Sequence, residues 1–287
     1  MAILSEITFY PIKSCAGIAL SKATLTRAGV RVEVKSGALH DREWMLVDAG
    51  GLFLTQREHP RLALVTPRIT ETGLHLTAPG MLELELPFAL PEPPPAGALM
   101  VQVWDDRVQA LDCGDAAAAW FARAIGTHCR LVRFDPAAVR CASAKWTGGV
   151  AAPTRFSDGY PLLVIGTASL LDLNQKLLAV GRSTLPMNRF RPNLVLDGIE
   201  AFEEDYAASF EFGAMRLKPV KPCPRCPIPA IDQATGLAGP DPLDILQRYR
   251  AKPELDGAVC FGINSIVIEG DEQSIHVGQE VNVTLVF

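Results

Sequence analysis

The segment Lys221-Pro-Cys-Pro-Arg-Cys-Pro-Ile-Pro229 constrains this chain more than any other. Proline fixes φ, removes a backbone donor and pushes the residue before it toward extended conformations. An extended, polyproline-like loop is therefore expected here, and no helix starts at Cys223. That closes the route by which a helix dipole activates the first cysteine of a C-x-x-C pair. Positive charge from Arg225, Lys221 and Lys218 is expected in its place, because cationic neighbours favour the thiolate.

Cys223 and Cys226 leave four readings open. Zinc needs about four ligands, usually from a second pair, yet Cys15, Cys113, Cys129, Cys141 and Cys260 are scattered singly. A structural disulfide suits a secreted chain. Two cysteines packing a rigid loop is the plainest reading, since free cysteine is often buried. In the fourth, one thiolate ligates a soft or borderline metal whose other ligands come from a cofactor.

The 287 residues are 48% hydrophobic and 21% charged, which suits a globular protein with two domains or one large one. A net charge of −5 gives no general attraction to nucleic acid or an anionic membrane, so neither is expected as a partner. Met1 to Glu6 lacks the basic region of a signal peptide, and no apolar run reaches the ~18 residues of a membrane span. Seven cysteines, an odd number, argue for reduced thiols and a cytoplasmic setting.

The pattern is mostly β. Strands are expected over 3–9, 44–47, 52–54, 62–65 and 74–77, with Asp48-Ala-Gly-Gly51 as a hairpin turn. Residues 81–86 alternate strictly, as a half-buried strand does. Residues 87–97 are proline-rich and read as a surface loop. Strands resume over 99–104 and 108–111, then Asp115 opens a helix over 116–125 that Gly126 stops. Residues 136–159 lack periodicity and read as a mobile connection. Beyond them, strands are expected over 162–165, 193–196, 210–217, 260–268 and 281–286. Thr167 caps a helix ended by Gly181, and Asp241-Pro242 opens a short one through Tyr249. The sum is a β-rich α+β fold, closed into barrels, with few helices and no parallel βαβ series.

Several short motifs hold polar groups that could meet a ligand. In Tyr10-Pro-Ile-Lys-Ser-Cys-Ala-Gly17, Lys13 and Ser14 could bind a phosphate; a solvated turn is the alternative. Asp41-Arg-Glu-Trp44 offers Arg42 as a bidentate phosphate ligand or as a surface arginine. Leu54-Thr-Gln-Arg-Glu58 is either a set of polar hooks or a hairpin surface. Arg189-Phe-Arg-Pro-Asn193 fixes the direction of Arg191 and presents the Asn193 amide. In Phe156-Ser-Asp-Gly-Tyr-Pro161, Asp158 could accept from a pterin-like ring or make an Asx-turn. No phosphate loop, nucleophile elbow or His-Glu-x-x-His occurs, and the five histidines are isolated.

In this order, and with Cys-Pro-Arg-Cys and Asp232-Gln-Ala-Thr-Gly236, the motifs resemble those of MOSC-domain proteins of the YcbX and mitochondrial amidoxime-reducing component type. The resemblance covers nearly the whole chain. It implies an N-terminal MOSC-type β-barrel domain over 1–125 and a MOSC β-barrel domain over 126–287, with the molybdenum cofactor (molybdopterin) between them. Cys226 would be the molybdenum ligand and catalytic residue, and Cys223 a supporting neighbour. Lys13, Ser14 and Arg42 would hold the pterin phosphate and nearby groups, and Asp158, Arg191 and Asn193 would contact the cofactor from the other half. Arg225 and Asn264 complete the set. Asn264 stands where the family carries a cofactor-contacting aromatic, and Pro229 where it often carries a polar residue.

The implied activity is reduction of N-hydroxylated compounds, such as amidoximes and hydroxylamino bases. YcbX-type proteins continue into a cysteine-rich ferredoxin-like module. Here only Cys260 follows Cys226, so electrons are expected from a separate ferredoxin- or flavodoxin-like protein. A non-catalytic carrier of molybdenum cofactor, or of sulfur on Cys226, is the alternative.

Overall fold

A computed structural model describes residues 1–35, 37–89 and 98–286. Most of the proline-rich segment over 87–97 lies outside the described residues. Seven strands close into a barrel: Leu162–Gly166, Leu194–Asp197, Ala2–Phe9, Glu280–Leu285, Ala207–Phe212, Met215–Pro224 and Ala258–Glu269, the last returning to the first. Closure rests on antiparallel pairing of Leu162, Leu163 and Val164 with Ser265, Asn264 and Ile263. The chain's first strand belongs to this ring. It lies between Leu194–Asp197 and Glu280–Leu285, antiparallel to both.

The two strands that read as unbroken apolar runs are buried on both faces, as such runs require. Leu162, Val164, Leu194 and Leu196 point into the barrel core. Leu163, Ile165 and Val195 point outward, onto Leu173 and Leu177 of the helix Thr167–Ala179 and onto Phe190 and Phe261. Leu162–Gly166 and Leu194–Asp197 run parallel, joined through that helix. One βαβ unit is thus present where no βαβ series was expected.

Three smaller sheets make up most of the first half: Ala98–Val103, Asp106–Asp112, Arg130–Phe134 and Trp44–Val47; Gln273–His276, Lys22–Thr26, Gly29–Val34 and Gly37–His40; and Thr66–Ile69, Gly73–Thr77 and Leu84–Pro87. The halves exchange strands, since Gln273–His276 pairs with Lys22–Thr26. One continuous apolar core runs from Leu4 and Trp44 to Phe121 and Phe210.

Local geometry corrects several expectations. Residues 62–65 are not a strand: Pro60–Leu64 is a 3-10 helix, with Pro60 pre-set for its first turn. The strand expected over 81–86 starts only at Leu84, because Met81 N closes a turn on Ala78 O. Residues 52–54 make only isolated bridges, Phe53 with Val47 and Leu52 with Gln102. Residues 210–217 are the ends of two strands hinged at Gly213, whose φ is 66°. The helices expected from caps at Thr167 and Asp241 begin at Thr167 and Leu243, with Gly166 and Pro242 in the cap positions.

The connection over 136–159 is pinned rather than loose. Arg140 donates from Nε to Asp106 Oδ2 at 2.8 Å and from Nη1 to the carbonyls of Arg155 and Ser157 at 2.8 and 2.6 Å. Phe156 is fully buried, and its N–H donates to Arg42 O at 3.0 Å.

Gly262 marks the closing seam. Its φ is 79°, and a Cβ there would meet Ile165 Cγ1 at 2.6 Å and Val164 O at 3.0 Å. Gly262→Ala is expected to destabilise the protein by about 2–4 kcal/mol, combining left-handed strain with overpacking. Gly257→Ala, at φ 75° with nothing within 4 Å, should show only the strain, about 1 kcal/mol. Equal urea midpoints for the two variants would rule out the tight seam.

Candidate functional site

The turns that leave the barrel at one end meet the N-terminal sheets and form a cleft of about 130 Å³, partly open to solvent. All nine residues singled out in the sequence line it: Lys13, Ser14, Arg42, Asp158, Arg191, Asn193, Cys223's neighbours Arg225 and Cys226, and Asn264. The rim is fastened by the backbone. Arg42 N donates to Tyr10 O at 2.6 Å, Thr8 N to Asn193 O at 2.8 Å, and Asn193 N to Leu163 O at 2.9 Å.

The cleft is strongly cationic. Lys13, Arg42, Arg57, Arg191 and Arg225 line it, against the single carboxylate of Asp158. Lys13 Nζ donates to Asp158 Oδ1 at 2.5 Å and to Phe156 O at 2.9 Å. Burial pushes the Lys13 ammonium down from its ordinary pKa, and Asp158 opposes that shift. The Asp158 side chain is 73% exposed on the cleft rim. Desolvation would raise its pKa, but Lys13 and the Trp104 N–H hold it well below the usual carboxylate range. The Trp104 indole donates to Asp158 Oδ1 at 3.0 Å.

Tyr10 organises the two central arginines. The guanidinium carbons of Arg42 and Arg191 lie 4.2 and 4.4 Å from its ring centre. Such contacts hold cations beside an apolar wall without neutralising them. Arg42 also pairs with the buried Asp41 and donates to Asn193 Oδ1 at 3.1 Å. Among the described residues Arg191 makes no ion pair; its one polar contact is Gln233 Oε1 at 3.5 Å. Burial pushes the Arg191 pKa down, so the fold strains against this charge.

Asn193 is committed to the protein. Its Nδ2 donates to Thr8 O at 3.2 Å and Asp41 Oδ1 at 3.1 Å, and its Oδ1 accepts from Arg42 and from Leu163 N. All four of its hydrogen-bonding positions are used, so it orients Arg42 and Asp41 from the cleft wall.

Backbone strain converges on the same place. Seven described non-glycine residues have positive φ, and four of them, Ser14, Arg42, Trp104 and Arg191, line the cleft. Left-handed backbone at non-glycine residues costs about 1–3 kcal/mol each and clusters where side-chain direction matters.

The C-x-x-C segment is extended as its prolines require, with residues 221–224 ending the strand Met215–Pro224. The expected activation of Cys223 is corrected. Burial raises the Cys223 pKa, with Arg225 only partly offsetting it through Nη1 at 3.4 Å from Sγ. Cys223 also packs against the outer core. Lys221 and Lys218 point elsewhere: Lys221 Nζ lies over the Trp146 ring and Lys218 Nζ faces Thr147 O. Cys226 stands on the cleft wall, half-buried. Among the described residues its thiol makes no hydrogen bond.

Phe53, Thr55, Arg57 and Trp104 complete the wall. Arg57 stacks on Trp104 at 4.8 Å, and Phe53 contacts the same indole at 5.1 Å. Thr55 and Arg57 were legible only as polar hooks, and nothing marked Trp104. The motif at 232–236 acts from behind: Asp232 pairs with Arg189 at 2.7 Å, and Gln233 donates to Gln56 Oε1 at 3.0 Å.

A cation-lined cleft with the thiols of Cys223 and Cys226 in its lining, the second of them unengaged among the described residues, fits a multiply anionic cofactor carrying a soft metal. Cys226 has the chemistry of the metal ligand, and Arg191 and Arg57, unpaired among the described residues, have that of the anion ligands.

A closed seven-strand barrel set against the N-terminal sheets, with this cleft where they meet, defines the class. The chain belongs to the MOSC family: residues 1–128 match the MOSC N-terminal beta barrel domain and 152–282 the MOSC domain. It is 35% identical to mitochondrial amidoxime reducing component 2 of Rattus norvegicus over 258 residues, 86% of this chain and 72% of that protein. The Homo sapiens protein of the same name is 34% identical over 251 residues, with the same coverage. Molybdenum cofactor sulfurase of Bos taurus is 30% identical over 275 residues, 91% of this chain but 30% of that one. Among the described residues no helix is long and apolar enough to cross a membrane.

The Lys13–Asp158 pair yields a pH prediction. A depressed carboxylate pKa contributes stability above the unfolded value, near 4, that is lost as pH falls through the folded value. Asp158→Asn is therefore expected to lower Tm at pH 7. The gap to the parent should hold down to about pH 4 and close only below it. A gap that closes between pH 7 and pH 5 would contradict the assignment.

Proposed function

We propose that this protein is a molybdenum-cofactor-dependent reductase of N-hydroxylated compounds, amidoximes and hydroxylamino bases among them. The observation that carries the proposal is the junction cleft, whose lining brings together an unengaged thiol, Cys226, with Arg191 and Arg57. The names of the relatives, amidoxime-reducing components and a molybdenum cofactor sulfurase, supply the substrate class and the cofactor. The seven unpaired cysteines suit a reducing, cytoplasmic setting.

When bound, the cofactor supplies a two-electron metal centre able to take up the oxygen of an N–O bond. The chain's own residues do the rest. Cys226 anchors the metal. Arg191 and Arg57 neutralise the cofactor's negative charge, each charge-assisted hydrogen bond contributing about 1.5–3 kcal/mol. Tyr10, Asp41 and Asn193 hold Arg42 and Arg191 in direction before anything binds. Ionised Asp158 keeps Lys13 charged at the cleft floor. Trp104 and Phe53 form the apolar side, where the body of a substrate can lie. Converting N–OH to N–H consumes two electrons and two protons and releases one water, so the electrons are drawn from a separate electron-transfer protein.

Protein produced in a cofactor-competent host is expected to hold one molybdenum per chain and to reduce benzamidoxime. Cys226→Ser should abolish turnover, and Cys223→Ser should keep most of it. Equal turnover by the parent and Cys226→Ser would refute the ligand assignment. A persulfide on Cys226 without molybdenum or turnover would establish the carrier reading instead. Arg191→Ala is expected to weaken cofactor retention about tenfold or more, read as molybdenum lost on dialysis.

A further inference from the structure

A second cationic feature lies outside the cleft, on the barrel wall behind the cysteine segment. Strict alternation along Met215–Pro224 would put Lys218 and Lys221 on opposite faces. The register shifts between Pro219, paired with Ser265, and Lys221, paired with Asn264. That bulge brings both lysines to the face covered by the short helix Ala144–Thr147. There the Trp146 ring has Lys221 Nζ at 5.2 Å and Lys145 Nζ at 5.6 Å, while Lys218 Nζ reaches Thr147 O at 3.5 Å.

The ion-paired lysines of the described residues are Lys13, Lys35, Lys176 and Lys252. Lys145, Lys218 and Lys221 belong to no ion pair among them. The nearby acids Glu211 and Glu269 are already taken by Arg216. Three ammonium groups without a carboxylate partner among the described residues, two over the Trp146 indole and one at Thr147 O, thus stand on a chain of net charge −5. The surface connects physically with the cleft. Tyr160 lines the cleft and also packs on the Ala142, Ala152 and Ile266 cluster beside the helix. Lys221 is paired in register with Asn264, a cleft residue.

We propose that Lys145, Trp146, Lys218 and Lys221 form the docking surface for an acidic electron-transfer protein. This rests on the reductase reading above, which requires a protein donor. The chemistry suits such a partner. A small cationic patch with a central aromatic gives steering and weak, reversible contact, and redox encounters bury little area. Three cations on an otherwise acidic protein are poorly suited to a long polyanion, which the net charge repels.

The test uses the molybdenum-loaded full chain, an acidic 2Fe–2S ferredoxin as probe and isothermal titration calorimetry. Lys145→Glu/Lys218→Glu is expected to raise the Kd for ferredoxin about tenfold or more, and added salt should raise the parent's Kd toward the same value. Lys22→Glu/Lys35→Glu makes the same net-charge change on a distant sheet and should leave the Kd within about twofold. Equal weakening by both pairs, or by neither, overturns the proposal. Patch-dependent binding to phosphatidylserine vesicles that is tighter than binding to ferredoxin also overturns it. Benzamidoxime reduction driven by reduced methyl viologen needs no protein donor and should be equal in the parent and both variants. Absence of that activity in the parent defeats the reductase reading, while the binding arm still decides the surface.

Discussion

Everything here depends on where one strand lies. The chain's first strand fills the gap between Leu194–Asp197 and Glu280–Leu285, so the barrel closes through residues separated by nearly the whole chain. Closure removes the free edges of an open sheet. It also fixes where the next residues go. Tyr10, Lys13 and Ser14 follow that strand directly and reach the rim beside Asn193 and Arg191. An N-terminal motif and a motif about 180 residues later become neighbours because one strand crosses between them. The reciprocal exchange, Gln273–His276 onto Lys22–Thr26, locks the other side.

The cleft is held under tension, and the tension has a direction. Burial disfavours the charged forms of Lys13 and Arg191. Four side chains reach the cleft from left-handed backbone. Neither cost stabilises the chain by itself. A rigid surround, with Asp41 and Asn193 fully engaged and Phe156 buried, keeps the cations from relaxing outward. An anion entering such a cleft meets donors that are already aimed, and preorganisation of this kind is what converts charge into affinity.

The sequence was most readable where physics is local. Proline dictated the extended course of 221–224, and Gly126 ended its helix in the left-handed conformation. It was readable for the cleft only through the order of motifs, because no local property of Arg42 or Arg191 says they share one tyrosine ring. Trp104 was invisible for the same reason: its partners, Arg57 and Asp158, come from other loops. Pro60-Arg-Leu-Ala-Leu64 misled because an apolar run too short to show a period fits a strand or a 3-10 turn equally. The strand Gly29–Val34 carried a local signal as well, since Val30-Arg-Val-Glu-Val34 alternates apolar with polar residues and Arg31 pairs with Glu33 on the polar side. Lys218 and Lys221 were read as guardians of the thiols because a bulge, which reassigns the faces of a strand, leaves no mark in composition.

The two cysteines show how far environment outweighs spacing. A C-x-x-C motif suggests two equivalent thiols. Here both residues line the cleft, but Cys223 also packs on the outer core, with its pKa raised by burial and an arginine beside it, while the Cys226 thiol makes no hydrogen bond among the described residues. The difference follows from the strand's end. Pro224 is the last residue in ladder register, paired with Cys260, and Arg225 N still bonds Val259 O at 2.8 Å. The next residues leave the sheet for the 3-10 turn Ile228–Ala230. Cys223 therefore lies within the strand, at a register shift, and Cys226 in the connection that follows it, so the two are placed by different elements. A pair placed in this way has two unequal thiols, one hydrogen-bonded and packed against the core, the other without a hydrogen bond among the described residues.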